Sequence, residues 1–249
     1  MNKRQNKIGI CKLCGDEKKL SFEHVPPRVA YNKTTRYYSF PQKDYYESKN
    51  ILNFKPKGKI FQGGIGYHSL CEKCNNFLGF NYVRPFSSFV NIGMNFIFNY
   101  DFDFLYVKID NQNPFRILKQ IASMFISISD LTFSKMYPEF VEFVINPDKR
   151  DLSNRFRFYL YLNNEGHFRK YGFPTFTNFH GFICELTYPP FGYVLNIDNE
   201  FCIDHLTEIT HFKNFIDNSK NEIELGLHKY PTHIHMPLDF RKKEEIPKE

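Results

Sequence analysis

The sequence has no long apolar run. No segment reaches the 18 or more consecutive apolar residues that a membrane-spanning helix requires. The first ten residues, MNKRQNKIGI, lack the apolar stretch of a secretory signal, and no internal repeat or low-complexity linker is present. From these absences we expect a cytoplasmic protein that does not associate with a membrane.

Disulfide bonds are not expected among the six cysteines. Without a secretory signal the chain is expected to stay in a reducing compartment, where cysteines remain thiols or bind metal. Cys184 and Cys202 stand alone in apolar surroundings, which indicates buried, inert thiols. The other four cysteines form two CxxC pairs.

Acidic side chains are scarce in the first part of the chain. Residues 1–100 carry 16 basic and 6 acidic side chains, a balance of +10, whereas residues 101–249 carry 17 and 21, a balance of −4. A positive field attracts polyanions such as nucleic acid, with an affinity that falls as salt rises. An ordinary soluble surface can also carry this charge, so the charge alone does not assign a function.

Periodic apolar positions are also scarce in residues 1–80. This stretch is rich in lysine, glycine and turn signals, and its strand-like pieces are short, at residues 19–22 and 59–61. Such a segment is too small for a large core of its own, so it requires an additional stabilising cross-link such as a bound metal ion.

The pattern becomes helical from Cys74, and Pro85 is expected to break or kink this helix. The spacing of apolar residues 86–98 predicts a second helix, and Asn113-Pro114 predicts the start of a third. The remainder reads as sheet, and the tail from residue 241 is expected to fray. The predicted strands cover residues 156–162, 182–186, 193–197 and 223–227, with a hairpin turn at 163–166 leading into 167–171.

Two CxxC pairs frame the first part of the chain, Cys11-Lys12-Leu13-Cys14 and Cys71-Glu72-Lys73-Cys74. Each tight turn can aim two thiolates at one ion, and two pairs complete the tetrahedral shell that structural zinc prefers. Gly15 fits the open backbone of the first turn. The gap of 56 residues exceeds that of a compact zinc ribbon, so spacing alone leaves open whether the pairs meet. We predict one four-cysteine zinc site rather than a dithiol redox pair.

Between the pairs lies Ser21-Phe22-Glu23-His24-Val25-Pro26-Pro27, and Asn75, Asn76 and Gly79 follow the second pair. Over about residues 8–80 the order of these motifs resembles the HNH endonucleases. The resemblance implies an α+β protein with a zinc-stabilised ββα-metal module, similar to a treble clef. In this interpretation the module covers residues 1–85, and a larger body of helices and antiparallel sheet covers residues 86–249.

Carried over residue by residue, the resemblance implies that His24 is the general base that activates water. It also implies that Glu23 and Asn75 bind a catalytic Mg²⁺ or Mn²⁺. A neutral imidazole accepts a proton near pH 7, and hard oxygen ligands suit these cations. Because adjacent residues of a strand point to opposite faces, Glu23 and His24 require a local turn to share one site.

Two positions depart from the family pattern. Glu23 stands where the family most often has Asp, and Gly66, beside Tyr67 and His68, stands where it has the middle Asn. That Asn usually pins the loop that carries the base, and His68 is the candidate to replace it.

The sequence therefore predicts a metal-dependent, HNH-like endonuclease that hydrolyses phosphodiester bonds in DNA. The body is expected to select substrate, protein partner or homo-oligomeric state. A non-catalytic, zinc-stabilised nucleic-acid-binding protein and a structural or protein-interaction module remain open alternatives. Residues 63–66 lack the Lys-Ser/Thr of a phosphate loop, and His233-Ile234-His235 is interpreted as part of a surface strand.

Overall fold

The computed structural model describes residues 7–52, 54–55, 57–177, 181–198 and 203–247. As predicted, the fold is mixed, with α-helices and antiparallel sheets. Within these ranges no helix is both long enough and apolar enough to cross a membrane. Cys184 is fully buried, as expected, whereas Cys202 lies outside the described residues and its interpretation stays a prediction.

The strands and helices are numbered in chain order. The strands are β1 (Lys7–Ile10), β2 (Glu17–His24), β3 (Tyr37–Ser39), β4 (Lys59–Phe61), β5 (Gly66–Cys71), β6 (Phe104–Gln112), β7 (Phe156–Leu162), β8 (Lys170–Thr177), β9 (Gly181–Tyr188), β10 (Phe191–Ile197), β11 (Thr207–Glu208) and β12 (Asn221–His228). The helices are α1 (Gln42–Tyr46), α2 (Glu72–Asn81), α3 (Val83–Asn99), α4 (Pro114–Ile128), α5 (Leu131–Met136) and α6 (Pro138–Ile145).

A three-stranded antiparallel sheet, in the order β1-β2-β5, organises the first part of the chain. Leu20 of β2 lies opposite Cys71, and His24 lies opposite Gly66. Because Cys71 ends β5 and directly precedes α2, the helix begins at the edge of this sheet and packs against β2 and β5. The two strands and the helix place both CxxC pairs at one end of the unit.

The break between α2 and α3 lies at Tyr82, three residues before the expected position at Pro85. Tyr82 leaves the helical region with φ −124° and ψ −26°. Its buried hydroxyl donates to the carbonyl of Val144 at 2.7 Å, which fixes the bend against α6. Pro85 is the third residue of α3, where a residue without an N–H group forfeits no helical hydrogen bond.

The second sheet has five strands in the order β11-β7-β10-β9-β8. Helix α4 lies against it and is buried over nearly its whole length. As predicted, α4 begins after Asn113, whose side-chain oxygen accepts a hydrogen bond from the backbone N–H of Arg116 at 3.2 Å. Since α4 also contacts β5 and α3, it connects the two sheets.

The predicted hairpin between β7 and β8 does not form, because β7 pairs with β10 and β11 instead. The segment predicted to form this turn, residues 163–166, instead makes hydrogen bonds with the C-terminal part of the chain. Tyr230 N–H donates to Leu162 O at 2.8 Å, and the Asn163 amide donates to the carbonyl of Tyr230 at 2.8 Å. Gly166, with φ +103°, bridges Thr232. These bonds lead the chain away from β7 before β8 begins.

Part of the tail predicted to fray is ordered as well. A short 3-10 helix covers Lys243–Glu245, and the Glu245 carboxylate accepts a hydrogen bond from the backbone N–H of Lys242 at 2.6 Å. Residues 248 and 249 lie outside the described residues.

A continuous hydrophobic cluster includes residues from both sides of position 85. Leu70 and Leu78 of the first part belong to the same cluster as Phe86, Phe125 and Phe158. A shared core is compatible with one folding unit or with two, so the division into residues 1–85 and 86–249 stays a prediction.

A buried ion pair joins the second sheet to the C-terminal segment. Arg169 and Glu185 have fully buried side chains, and Arg169 Nη1 lies 3.1 Å from Glu185 Oε1. The same carboxylate accepts hydrogen bonds from Tyr161 Oη at 2.6 Å and from the backbone N–H of Leu238 at 3.0 Å. Arg169 Nε donates to the carbonyl of Ile234 at 2.9 Å. The pair therefore has the additional hydrogen bonds that a desolvated charge requires.

We expect Glu185→Gln to lower the free energy of unfolding by about 3 kcal/mol or more, because it leaves the Arg169 charge buried without a counter-charge. Urea denaturation of both proteins measures this difference. Asp198→Asn is the control, because Asp198 pairs with Arg155 at a position where both side chains are about two-fifths exposed. Its expected cost is below about 1 kcal/mol. Equal losses for the two variants would contradict a special contribution of the buried pair.

Candidate metal centre and adjoining histidine face

The four cysteines of the CxxC pairs come together at the end of the first sheet. The sulfur atoms of Cys11, Cys14, Cys71 and Cys74 all lie within 4.8 Å of one another, and the Cys14–Cys71 distance is 4.0 Å. Three of these residues are buried and Cys14 is half-buried. The pairs therefore meet across the 56-residue gap, and the prediction of a single four-cysteine cluster is confirmed.

Local backbone geometry positions each pair. In the first, Gly15 N–H donates to Cys11 O at 2.8 Å, and Cys11 N–H donates to Asp16 O at 2.9 Å. Gly15 has φ +77°, a conformation that favours glycine. In the second, Cys71 is extended at the end of β5 and Cys74 lies in the first turn of α2. Cys71 N–H donates to the sulfur of Cys11 at 3.3 Å, which links the pairs.

The cluster matches the requirements of a tetrahedral ion. Thiolates bind zinc at about 2.3 Å, which places their sulfur atoms roughly 3.8 Å apart. The observed separations need only small side-chain adjustments to reach this geometry. A hydrogen bond between Cys11 and Cys74 lowers the pKa of Cys11 and raises that of Cys74, so without a metal ion the pair shares one proton. The four cysteines could therefore hold a metal ion such as zinc.

We expect the purified protein to carry about one zinc ion per chain. Cys71→Ser removes one ligand and should abolish stoichiometric zinc while lowering the melting temperature, because metal binding contributes to folding. Elemental analysis and thermal denaturation measure both effects. Cys184→Ala, which removes a buried thiol outside the cluster, should retain the zinc. A metal-free wild-type protein would contradict the assignment.

His24 ends β2 and is held in a defined orientation. Its Nε2 lies 3.0 Å from the carbonyl oxygen of Gly63. The ring also makes an edge contact with Phe22, at 5.1 Å between centroids, and Phe22 in turn contacts His68 at 5.5 Å. His24, Phe22 and His68 thus form one surface, which we call the histidine face. His24 is half-buried and Phe22 is exposed, so this face is open to solvent.

The loop beside His24 explains the glycines at residues 63–66. Gly63 and Gly64 have φ +95° and +94°, so this turn requires residues without a side chain. A Cβ atom on Gly64 would lie 2.7 Å from a ring carbon of His24. The turn is therefore a close-fitting support for the imidazole rather than a phosphate loop.

Asn32 fixes the loop that follows His24. Its buried amide nitrogen donates to Pro26 O at 2.7 Å and Ile65 O at 2.8 Å, and its amide oxygen accepts from Ile65 N–H at 2.8 Å. These bonds fasten the segment after His24 to the turn before β5. The expected substitute, His68, contacts Phe22 instead. No spacing signal marks Asn32 in the sequence, because two of its three hydrogen bonds are made with Ile65, 33 residues away.

Glu23 and His24 do not share one face. Glu23 Oε2 accepts hydrogen bonds from Ser69 Oγ and from Ser127 Oγ of α4, each at 2.8 Å. Glu23 is only 6% exposed, and the local turn that a joint site requires does not form. The structure therefore gives no support to Glu23 as a cation ligand beside His24. Strand alternation places its carboxylate between the sheet and α4.

Asn75, the other predicted cation ligand, lies on α2 and is tied to β2. Its side-chain nitrogen donates to Ser21 Oγ at 3.1 Å, and Ser21 Oγ donates to Leu70 O at 3.1 Å. Asn75 is thus held against β2 at Ser21, which lies three residues before His24. Its role as a ligand stays a prediction.

Burial raises the pKa of Glu23 to about 7, although the serine hydrogen bonds and the nearby Lys12 ammonium oppose this shift. The folded protein therefore binds more protons at this group than the unfolded chain between about pH 4.5 and 7. Its contribution to the free energy of unfolding must fall as the pH rises through that interval.

Glu23→Gln removes this titration while keeping the shape of the side chain. We expect the free energy of unfolding of wild type, relative to this variant, to fall by about 2 kcal/mol between pH 5.5 and 8. Denaturation curves at several pH values measure the difference. Glu17→Gln, at an exposed position on the same strand, is the control, and its free energy of unfolding should change with pH as that of wild type does. If the free energy of unfolding of Glu23→Gln also changed with pH as that of wild type does, the raised pKa of Glu23 would be contradicted.

Compared with protein-family models, with curated proteins and with solved structures, the chain shows no significant match. The interpretation of this site therefore rests on its geometry and on the order of its motifs.

Proposed function

We propose that the protein is an HNH-type endonuclease acting on DNA, with β2, β5 and α2 as a ββα unit stapled by a four-cysteine zinc ion. The observation that carries the proposal is the oriented, solvent-accessible imidazole of His24. When the ring nitrogen Nε2 bears the proton and donates to Gly63 O, Nδ1 is left as an acceptor. An imidazole in this state can take a proton from an attacking water molecule.

The charge of the surrounding segment supports a nucleic-acid substrate. Arg28 and Lys33 follow His24 closely along the chain and are exposed to solvent. Residues 1–100 carry a balance of +10, as counted above. Exposed basic side chains in this segment would neutralise backbone phosphates and position a strand without reading its sequence.

In the part of the chain that the structure describes, the two oxygen ligands that the motif resemblance implies for Mg²⁺ or Mn²⁺ are not brought together beside His24. Of the two oxygen ligands that the motif resemblance implies, Glu23 is bound to Ser69 and Ser127 behind the sheet. Asn75 is then the one remaining ligand of this pair, and its amide nitrogen donates to Ser21 Oγ. The proposal therefore assigns the proton transfer to His24 and no step to such a cation.

The placement of Glu23 also favours a second candidate, a zinc-stabilised DNA-binding protein without catalysis. In this alternative Glu23 and His24 serve to connect β2 to α4 and to the Gly63 turn. Cleavage and binding assays separate the two candidates, because both predict DNA binding and only the first predicts strand scission.

We expect the wild-type protein to nick plasmid DNA and His24→Ala to lose this activity by about a hundredfold or more, the usual scale for a positioned base. The nicking reactions are run with magnesium, with manganese and with neither cation, to measure whether cleavage requires a divalent cation. His228→Ala, on β12, is the matched control and should cut like wild type. Zinc content and DNA binding, measured by fluorescence anisotropy, should be unchanged in both variants.

Equal cutting by His24→Ala and wild type would contradict the role of His24 as the base. A wild-type protein that binds DNA but never cuts it, under any of these conditions, would favour the non-catalytic alternative.

A further inference from the structure

A cavity of about 520 Å³ lies beside the start of β5. Its walls come from the segment 36–45, the start of β5, the start of β8 and the C-terminal segment at His235. Ile65 lines this cavity, whereas Gly63 in the same turn bonds His24. The volume falls in the range of sites for small organic ligands.

Braced aromatic rings line the cavity. Tyr37 stacks on Phe61 with ring centroids 5.4 Å apart, and Phe168 stacks on Tyr188 at 5.1 Å. Each of these pairs holds a lining ring in place before any ligand arrives. Rings fixed in this way offer flat faces on which a planar heterocycle can stack.

The charge of the lining is positive. Arg36 and Lys170 both contribute to the wall, and neither has a carboxylate within ion-pair distance among the described residues. Lys170 Nζ lies 4.4 Å from the centroid of the Tyr67 ring, so a cation stands directly beside an aromatic ring of the cavity. Arg169 also lines the wall, but its charge is neutralised by Glu185. No acidic side chain of the described residues lines the cavity.

Two polar atoms of lining residues have unused hydrogen-bonding capacity. Tyr45 Oη and His235 Nε2 are buried and have no hydrogen-bond partner among the described residues. His235 is held by stacking on His167, with 4.0 Å between centroids. Burial lowers the pKa of His235 to about 4, so its ring is neutral at physiological pH. Neither atom has accessible surface in the cavity, so a bound molecule reaches them only after a side-chain movement.

We propose that this cavity binds a nucleotide unit, with its base on the aromatic faces and its phosphate between Arg36 and Lys170. Stacking and positive charge are the two features that a nucleotide satisfies together. The inference does not depend on His24 acting as a base. The nucleotide can be free in solution or part of a nucleic-acid strand, and the two sources are distinguished by experiment.

Isothermal titration calorimetry of the full chain tests the proposal, with the four nucleoside 5′-monophosphates, adenosine, inorganic phosphate and a short single-stranded oligonucleotide as probes. We expect at least one nucleotide to bind at least tenfold more tightly than either adenosine or phosphate, if the ligand is a free nucleotide. If the unit belongs to a strand, the oligonucleotide binds and the mononucleotides do not. In both cases Arg36→Ala and Lys170→Ala should weaken binding at least tenfold.

Lys135→Ala is the matched control, because it removes one exposed positive charge from α5, outside the cavity. It should leave nucleotide affinity unchanged. Absence of binding for every nucleotide and for the oligonucleotide would overturn the proposal. So would binding that Arg36→Ala and Lys170→Ala leave at the wild-type affinity. Neither result bears on plasmid cleavage by His24, so failure of this proposal is distinguishable from failure of the proposed function.

Discussion

The convergence of four cysteine sulfur atoms is the constraint on which the first part of the structure depends. The two CxxC pairs are separated by 56 residues, and bringing them within 4.8 Å fixes β2, β5 and the start of α2 relative to one another. A zinc ion held by the cluster would contribute on the order of 10 kcal/mol to folding, as structural zinc does in small modules. The orientation of His24 follows, because its strand and the Gly63 turn are both held by this arrangement.

Strand β2 divides its polar residues between two environments. His24 faces solvent beside Phe22, whereas Glu23 points inward and bonds Ser127 on α4. Lys12, next to the first metal-ligand candidate, also donates to the carbonyl of Ser127 at 3.0 Å. These contacts connect the cysteine-bearing unit to the most buried helix of the body. Glu23 thus connects the cysteine-bearing unit to α4, while its neighbour His24 lies on the histidine face.

Local signals in the sequence were sufficient for the features that depend on neighbouring residues. The CxxC pairs, the capped start of α4 at Asn113 and the strands β4, β7 and β10 all follow from spacing and periodicity. Features set by distant partners could not be predicted. Glu23 and Ser127 are 104 residues apart, and two of the three hydrogen bonds of Asn32 are made with Ile65, 33 residues later. The pairing of β7 with β10 was missed for the same reason, because the Asn163 turn is stabilised by contacts with Tyr230.

Hydrogen exchange measured by mass spectrometry, with zinc bound and after its removal by a chelator, tests whether the four-cysteine cluster holds the first sheet and α2 together. We expect that removal of zinc collapses protection in β1, β2, β5 and α2, and that protection in β7 and β10 is largely retained. His24 would lose its fixed position together with these strands. Unchanged protection of β2 and β5 after complete removal of the metal would contradict the claim that the four-cysteine cluster holds this unit together.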